Sequence, residues 1–470
     1  MFGVALLATL ACTAGARGPH GARPSTGGET PGETALVVAV PPPEDEPAPV
    51  TEEGPLAPAL EGASGWMQFH GDGARRGASS APPIEKPKVA WRARVGIQGW
   101  LNSPIVVGST VLVPSSGSVH NKPDPEDGVV ALDLRGGKRF WFAHMDGDAN
   151  GVAADDQRAY VSSDDGHVYA LKLADGSVAW KQPGKGKVYS HPLLVGSLVV
   201  VGDATGTLRA FDAASGAVRW AVQLSGAIRG GASADDKLIY AVSEAGELAA
   251  LSFDGKVSYR RVLERAPWDG KGPDEAIQAY SPPIVTPTTL IVPFARDTYY
   301  SDRPALMAVT KKNGAGAWTA KGPGEWGNVR STPTLVGDLL IYAEPYSGDV
   351  VAISSATGRL VYRHTVGACY FPQWASPAAA RDLVYVMRLD GVVHALAATD
   401  GKSRWRFYLG DAARAGGVIP AELEPGQECD WEIPTGHPAY SPLAIAADGT
   451  LLAGTHEGFL YAIRDAAAPR

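Results

Sequence analysis

One repeating pattern constrains the fold of this chain more than any other feature. An alanine within an apolar stretch is followed about ten residues later by a large aromatic residue, and glycine-containing turns lie on both sides. The first four copies begin 39 to 40 residues apart, a period typical of repeat architectures. The alanines are Ala131, Ala170, Ala210, Ala250, Ala308, Ala352, Ala395 and Ala462, and the aromatic partners of the first seven are Trp141, Trp180, Trp220, Tyr259, Trp318, Tyr362 and Trp405.

Each copy predicts four short β-strands. In "HPLLVGSLVVVGDATGTLRAFDAASGAVRWAVQ" (residues 191–223), the apolar segments are separated by Gly-Ser, Thr-Gly and Ser-Gly turns, which suit tight hairpins. In "HVYALKL" (residues 167–173), both alternating sets of residues are apolar, so the strand is buried on both faces. Four-stranded sheets packed between two others around an axis form a propeller. We therefore predict an all-β fold, an eight-bladed β-propeller of four-stranded antiparallel sheets.

The eighth copy lacks its aromatic residue, because the sequence runs out after Ala462. A lone alternating stretch, "PKVAWRARVG", lies just before the first copy and contains Trp91. Pairing of this N-terminal strand with "GFLYAIR" of the last copy completes a four-stranded blade and closes the ring without an exposed edge. We interpret all eight aromatic residues as structural core residues of the repeat and not as ligand contacts.

Two segments carry a resemblance to a known family. "GHVYALKLADGSVAW" (residues 166–180) resembles the repeat of the pyrroloquinoline-quinone-type propellers, and "GWMQFHGDGARRGAS" (residues 65–79) resembles the segment that often precedes them. The resemblance covers about residues 65 to 465. It implies the quinoprotein-like propeller fold, which is related to WD40-like propellers in shape. The family includes quinone-dependent alcohol and sugar dehydrogenases, and also non-enzymatic members such as the lipoprotein subunit (BamB type) of the outer-membrane β-barrel assembly machinery.

The resemblance leaves two functions open. The first is an exported binding or assembly scaffold without a cofactor. The alternative is a quinone-dependent oxidoreductase with a reduced cofactor site, which would bind pyrroloquinoline quinone with calcium. As the resemblance implies, the dehydrogenases are longer, hold calcium with acidic and amide side chains and often carry two adjacent cysteines. This sequence has no adjacent cysteines and shows no catalytic or metal-ligand constellation, which favours the scaffold.

The insertions favour one face of the propeller as the working surface. Loops between second and third strands share a face with the connections between blades, and every long insertion is of one of these two kinds. A face that alone is elaborated is expected to bind. The insertions are 115–127, 265–278, 294–303, 321–328 and 410–438. The channel mouth on this face is predicted to be ringed by Trp100, Asn102, Asn150, Tyr189, His191, Arg229, Tyr280, Arg330, Trp374 and Tyr440.

Charge and composition limit the classes of partner that the chain is expected to bind. The formal net charge of −8 argues against a nucleic-acid binder. Aromatic and arginine residues at the mouth are typical of protein interfaces and of polar-ligand pockets; the alternative is that several of them only fill the top of the channel. We expect a protein partner in the cell envelope, with a saccharide or small ligand as the alternative. The propeller is expected to be a monomer.

The N-terminus predicts export. Residues 1–12 are read as a signal peptide, either an ordinary one or a lipoprotein signal in which Cys12 is lipidated. Residues 13–62, rich in Pro, Gly and Glu, are predicted to be a disordered tether, followed by the propeller over 63–466. The expected location is the periplasm, the outer membrane as a lipoprotein, or the exterior. Cys369 and Cys429 lie in neighbouring connections between blades and form a candidate disulfide, with two free thiols as the alternative.

Overall fold

The structure is a computed structural model. It describes residues 65–99, 102–119, 121–263, 279–294, 305–320, 329–344, 348–366, 375–388, 391–409 and 441–467. Within these ranges the regular elements are β-strands. No helix in this part of the chain is long and apolar enough to cross a membrane. The predicted boundaries at residues 12, 62 and 63 fall outside these ranges and stay predictions.

The described strands form eight blades. Two strands, β1 (Ala78–Ser79) and β2 (Pro87–Arg94), precede the first blade. In each blade the first strand lies innermost and the fourth outermost. Blade 1 contains β3 (Ile105–Val107), β4 (Thr110–Ser116), β5 (Asp127–Asp133) and β6 (Arg139–His144); blade 2 contains β7 (Ala149–Ala154), β8 (Arg158–Ser163), β9 (His167–Lys172) and β10 (Val178–Pro183). Blade 3 contains β11 (Leu193–Val195), β12 (Leu198–Gly202), β13 (Thr207–Asp212) and β14 (Val218–Gln223); blade 4 contains β15 (Ala232–Ala234), β16 (Leu238–Val242), β17 (Glu247–Ser252) and β18 (Val257–Val262).

The second half repeats this order. Blade 5 contains β19 (Ile284–Val285), β20 (Thr289–Pro293), β21 (Leu306–Thr310) and β22 (Gly316–Ala320); blade 6 contains β23 (Thr334–Val336), β24 (Leu339–Ala343), β25 (Asp349–Ser354) and β26 (Leu360–Thr365). Blade 7 contains β27 (Ala378–Ala380), β28 (Leu383–Met387), β29 (Val392–Ala397) and β30 (Ser403–Tyr408), and β1 pairs with β27 in parallel. Blade 8 contains β31 (Ala444–Ile445), β32 (Leu451–Gly454), β33 (Phe459–Asp465) and, as its outermost strand, β2.

The ring closes through the two ends of the propeller. Strand β2 runs antiparallel to β33, and Trp91 lies directly opposite Ala462. The innermost strand of blade 8 contacts that of blade 1. The predicted eight-bladed propeller and its closure by the N-terminal strand are therefore confirmed.

The repeat pattern has a direct structural meaning. In each of the eight blades, the repeat alanine on the third strand faces the repeat aromatic on the fourth. All eight alanines are fully buried. The register slips by one residue beside this pair in every blade, including the blade assembled from both ends. The eighth blade is thus built like the others, although its strands are far apart in sequence.

The aromatic residue also joins each blade to the next. The indole N–H of Trp141 donates to the carbonyl of Leu173 in blade 2 at 2.9 Å, and the ring lies against Gly176 in the same turn. A Cβ atom at Gly176 would approach the ring to 2.6 Å, and this glycine has a φ of 73°. A glycine is therefore required there for both reasons. Trp91 makes the equivalent bond to Leu134 at 2.8 Å and closes the step from blade 8 to blade 1.

Blade 8 needs a substitute for the turn that precedes the aromatic strand elsewhere. The carboxylate of Asp465 accepts hydrogen bonds from the backbone N–H groups of Lys86 at 2.9 Å and Glu85 at 2.6 Å, which belong to the other end of the chain. It also accepts the N–H of Ala467 at 2.8 Å. The backbone hydrogen bonds from Lys86, Ala467 and Glu85 hold the pKa of Asp465 below its usual 3.8. One carboxylate thus ties the two chain ends together.

Candidate functional site

The propeller has two unlike faces. The tight-turn face carries the connections between first and second strands, such as Gly196–Ser197, and those between third and fourth strands, such as Ala213–Ala217. The opposite face, called here the long-loop face, carries the starts of the first strands and the ends of the second strands. It therefore also carries the mouth of the central channel.

The long-loop face receives the insertions predicted from the sequence. Only the insertion of blade 1, between β4 and β5, falls almost wholly within the described residues. There the carboxylate of Asp124 accepts the N–H groups of Ser118, Val119 and Glu126 at 2.7 to 2.9 Å. Beside this loop lies a surface cavity of about 370 Å³ lined by Pro123, Asp124, Pro125, His144 and Asp146.

The other four insertions lie largely outside the described residues. The described strands that flank them nevertheless end and begin on the long-loop face. These pairs of strands are β18 and β19, β20 and β21, β22 and β23, and β30 and β31.

The structure divides the predicted mouth residues into three sets. The half-exposed set comprises Tyr189, Arg229, Tyr280 and Arg330. They precede the first strands of blades 3, 4, 5 and 6, respectively. Asn102, Asn150 and His191 are buried, with at most 4% of each residue exposed. Trp100, Trp374 and Tyr440 lie outside the described residues.

The half-exposed set forms two stacked pairs at the rim. The guanidinium carbon of Arg229 lies 4.7 Å from the centre of the Tyr189 ring, and that of Arg330 lies 5.9 Å from the centre of the Tyr280 ring. Contacts of this kind are cation–π interactions. The rim therefore presents aromatic and guanidinium surface on four consecutive blades.

Ion pairs extend the first pair over blades 2 to 4. The ammonium of Lys187 lies 5.9 Å from the centre of the Tyr189 ring and donates to Asp164 at 2.7 Å. This hydrogen bond raises the pKa of Lys187. Arg229 donates to Glu244. These contacts link five side chains across three blades and place two cations against the ring of Tyr189.

The buried set has structural contacts. The amide of Asn102 donates to the carbonyl of Ala149 at 2.7 Å and joins blades 1 and 2. The amide of Asn150 donates to Asp164 at 2.8 Å and to the carbonyl of Val188 at 3.0 Å, which joins blades 2 and 3.

His191 lies inside the channel below the rim. Its ring stacks on Phe69 with the centres 3.8 Å apart. Burial, together with nearby Arg75 and His70, holds the pKa of His191 well below its usual 6.5, so the ring is neutral.

Three rim residues were missed by the sequence reasoning, namely Lys187, Asp164 and Glu244. The available signal was weak. Asp164 in "SDDG" and Glu244 in "SEAG" each follow a second strand, but acidic residues are common in such turns. Their role depends on cations from other loops, which a local pattern does not reveal.

A calcium–quinone site was the cofactor alternative, and the described residues do not fit one. Within them, no group of three or more His, Cys, Asp or Glu side chains is placed to hold a metal ion. Carboxylates on this face are engaged by neighbours. Asp203, for example, accepts the N–H groups of Thr205 and Thr207 in its own turn and that of Lys185. Cys12, Cys369 and Cys429 lie outside the described residues, so lipidation and the disulfide stay predictions.

Comparisons with known proteins point to one family. A family model described as "Outer membrane protein assembly factor BamB" matches residues 125–267 and 204–371, which together span more than half of the chain. Curated proteins of the same name match from Yersinia pestis (31% identical, 20% of this chain and 28% of the relative), Moranella endobia strain PCIT (22%, 59% and 61%) and Burkholderia pseudomallei strain K96243 (30%, 36% and 44%). The chain thus spans less than two thirds of the length of each of these relatives.

Solved structures show the fold. BamB from Moraxella catarrhalis superimposes with a TM-score of 0.57 at 17% identity, covering 82% of this chain and 99% of that one. A europium-containing methanol dehydrogenase superimposes with a TM-score of 0.63 at 14% identity, covering 86% and 98%. A BamB protein and a dehydrogenase share this architecture, so the superpositions do not distinguish the two functions.

Proposed function

Because the chain belongs to the BamB family of pyrroloquinoline-quinone-type repeat propellers, we propose that it is a binding scaffold in the assembly of outer-membrane proteins. Its long-loop face is the proposed contact surface for protein partners in the cell envelope. The family match supports the assembly role. The placement of the insertions and the stacked rim support the choice of face.

The observation that carries the choice of face is the clamped Tyr189–Arg229 pair. Tyrosine and arginine are enriched among the residues that dominate binding energy at interfaces. A side chain that is already fixed loses little conformational entropy on binding. Because Lys187 and Glu244 hold this pair from both sides, the rim is an anchor that needs little reorganisation.

The test is capture of partners from detergent-solubilised cell envelope by the intact chain, with mass-spectrometric identification. We expect the captured proteins to be components of outer-membrane protein assembly. Arg229→Ala and Tyr189→Ala should each weaken capture, since large anchors contribute about 2 kcal/mol or more. Replacement of residues 410–438 by a short linker should abolish capture while the melting curve is retained, because loop length changes closure entropy only slowly.

The matched control is on the tight-turn face. Asp175 and Asp400 are exposed there and bond only within their own turns, to Ser177 and Lys402. Asp175→Ala combined with Asp400→Ala should leave capture unchanged. If this double variant loses capture and the rim variants do not, the proposed face is wrong.

We also propose export, with anchoring through a lipid on Cys12. The support is the apolar N-terminal run that ends at this cysteine. Cys12→Ser should abolish incorporation of radiolabelled fatty acid in bacteria that express the chain, without a change in the melting curve. An unlabelled wild-type chain would contradict the anchor.

A further inference from the structure

A segment before the closing strand runs along the inner edge of the blades. This segment, residues 66–79, is called the strap here. Six backbone carbonyls of the strap each accept one N–H group from the innermost strand of a different blade. The blades are 1, 2, 4, 5, 6 and 7, and the carbonyls belong, in the same order, to Trp66, Met67, Gly73, Ala74, Arg76 and Gly77. The N–H groups belong to Val106, Ala154, Ala234, Val285, Leu335 and Ala379, at N···O distances of 2.7 to 2.9 Å.

Blade 3 is engaged by a side chain. The N–H of Leu194 donates to the amide oxygen of Gln68 at 3.1 Å. Strand β1 then pairs with blade 7, and the chain continues into β2 of blade 8. The strap therefore contacts blades 1 to 7 in chain order, and the closing strand then completes blade 8. It satisfies backbone donors on a free sheet edge that would otherwise face the channel.

The side chains of the strap fill the channel. Trp66, Phe69, His70 and Arg75 are at most 3% exposed. Phe69 lies between two imidazole rings, with the centre of His191 at 3.8 Å and that of His70 at 5.4 Å.

The two imidazole rings belong to opposite sides of the channel. His191 lies at the start of blade 3, while Nε2 of His70 lies 3.0 Å from the carbonyl oxygen of Pro377 at the start of blade 7. In a ring of eight blades, the third and the seventh face each other. The three rings therefore link blade 3 to blade 7 across the channel.

Arg75 fixes the stack on one side. Its guanidinium donates to the carbonyls of Phe69 at 2.8 Å, Pro192 at 3.1 Å and Ala232 at 3.1 Å. The last two belong to blades 3 and 4. A buried guanidinium is costly to leave without acceptors, so the strap cannot leave the channel without losing these bonds.

We propose that the strap seals the central channel, so that the propeller has no open bore and the long-loop face has a closed floor. A polypeptide segment cannot pass through the ring, and a planar cofactor cannot take the axis without displacing the ring stack. Partners of the long-loop face dock on its rim and loops.

The first test is hydrogen exchange on two truncated chains. One begins at Gly65 and keeps the strap; the other begins at Ser80 and lacks it but keeps β2. The six amides from Val106 to Ala379 named above should exchange at least about tenfold faster in the shorter chain. Amides between second and third strands, such as that of Val201 opposite Arg209, serve as internal controls and should not change. Unchanged exchange at the six amides would overturn the role of the strap.

The second test measures access to the channel. His191→Cys, in a chain whose three natural cysteines are serines, should react with N-ethylmaleimide at least about tenfold faster once the strap is removed. Equal rates with and without the strap would show that it does not seal the channel. If the chain from Ser80 does not fold, both measurements are made on full-length Arg75→Gln. This variant should speed exchange at Leu194 and Ala234 and labelling at position 191, and no change at either would overturn the proposal.

Discussion

Trp91→Ala tests whether the two chain ends close the ring as firmly as an uninterrupted blade. Trp91 is 8% exposed and lies opposite Ala462. Its ring packs on the turn of blade 1, where a Cβ at Gly137 would approach it to 2.6 Å. Its indole N–H donates to the carbonyl of Leu134. The substitution removes the packing and the hydrogen bond together.

The expected cost follows from this burial. Truncation of a buried tryptophan to alanine lowers the free energy of unfolding by about 3–5 kcal/mol. Trp180→Ala is the matched control, because Trp180 is also 8% exposed, donates to the carbonyl of Ala213 at 3.0 Å and packs on Gly216. It differs in one respect, since its blade is continuous in sequence. We expect the two variants to lose similar stability.

Urea unfolding followed by tryptophan fluorescence and circular dichroism gives both free energies. Removal of residues 1–96 should also lower the melting temperature far more than removal of residues 1–60, because only the first deletion takes away β2. A cost below about 1 kcal/mol for Trp91→Ala beside a full cost for Trp180→Ala would refute the reasoning, as would equal melting temperatures of the two truncations.

Two further predictions rest on single contacts, and a third concerns the cofactor. Tyr362→Trp should raise the free energy of unfolding by about 0.5–1.5 kcal/mol in urea titrations. The buried Tyr362 hydroxyl has no hydrogen-bond partner among the described residues, whereas an indole N–H would reach the carbonyl of Ala398. A loss of stability would contradict this prediction. Hydrogen bonds from Lys86 and its neighbours depress the pKa of Asp465 in the folded state. The contribution of this carboxylate to the free energy of unfolding is therefore fully present above its unfolded-state pKa and is lost as pH falls through its folded-state pKa. The melting temperature of Asp465→Asn should therefore approach that of the wild type in acid, and a constant gap from pH 6 to pH 2 would count against the closure role. Calorimetry with pyrroloquinoline quinone and calcium should show no binding, and tight stoichiometric binding would favour the oxidoreductase.

The ring could be predicted from the sequence because its signals are local. An alanine and an aromatic residue about ten positions apart form one hairpin, so their contact is present within each copy. Even the closing strand was visible, since Trp91 was the one aromatic residue missing from the last copy. The tyrosine at 259 kept its place opposite Ala250 although its turn is one residue shorter, because the turn absorbs the difference.

The strap could not be derived in this way. Its partners are single amides on seven strands between Val106 and Ala379, and no spacing within residues 66–79 encodes them. The mouth shows a similar limit. Asn150 and Tyr189 were both placed at the mouth, yet the amide bonds to a backbone carbonyl while the tyrosine stays half-exposed. Polarity alone does not show whether a side chain faces solvent or completes the hydrogen bonds of a neighbouring blade.

The contacts that hold the ring and the surface proposed to bind are largely separate. The indole bonds and Asp465 act at the outer strands and the tight turns, and the strap acts at the innermost strands. The strands that flank the long insertions end and begin on the other face. None of these indole, Asp465 and strap bonds involves a residue of the insertions, so loss of partner capture without a change in melting temperature is the expected signature of a variant on the long-loop face. Variants of the strap and the closing strand should instead affect stability first, because they loosen every blade to which the rim residues are attached.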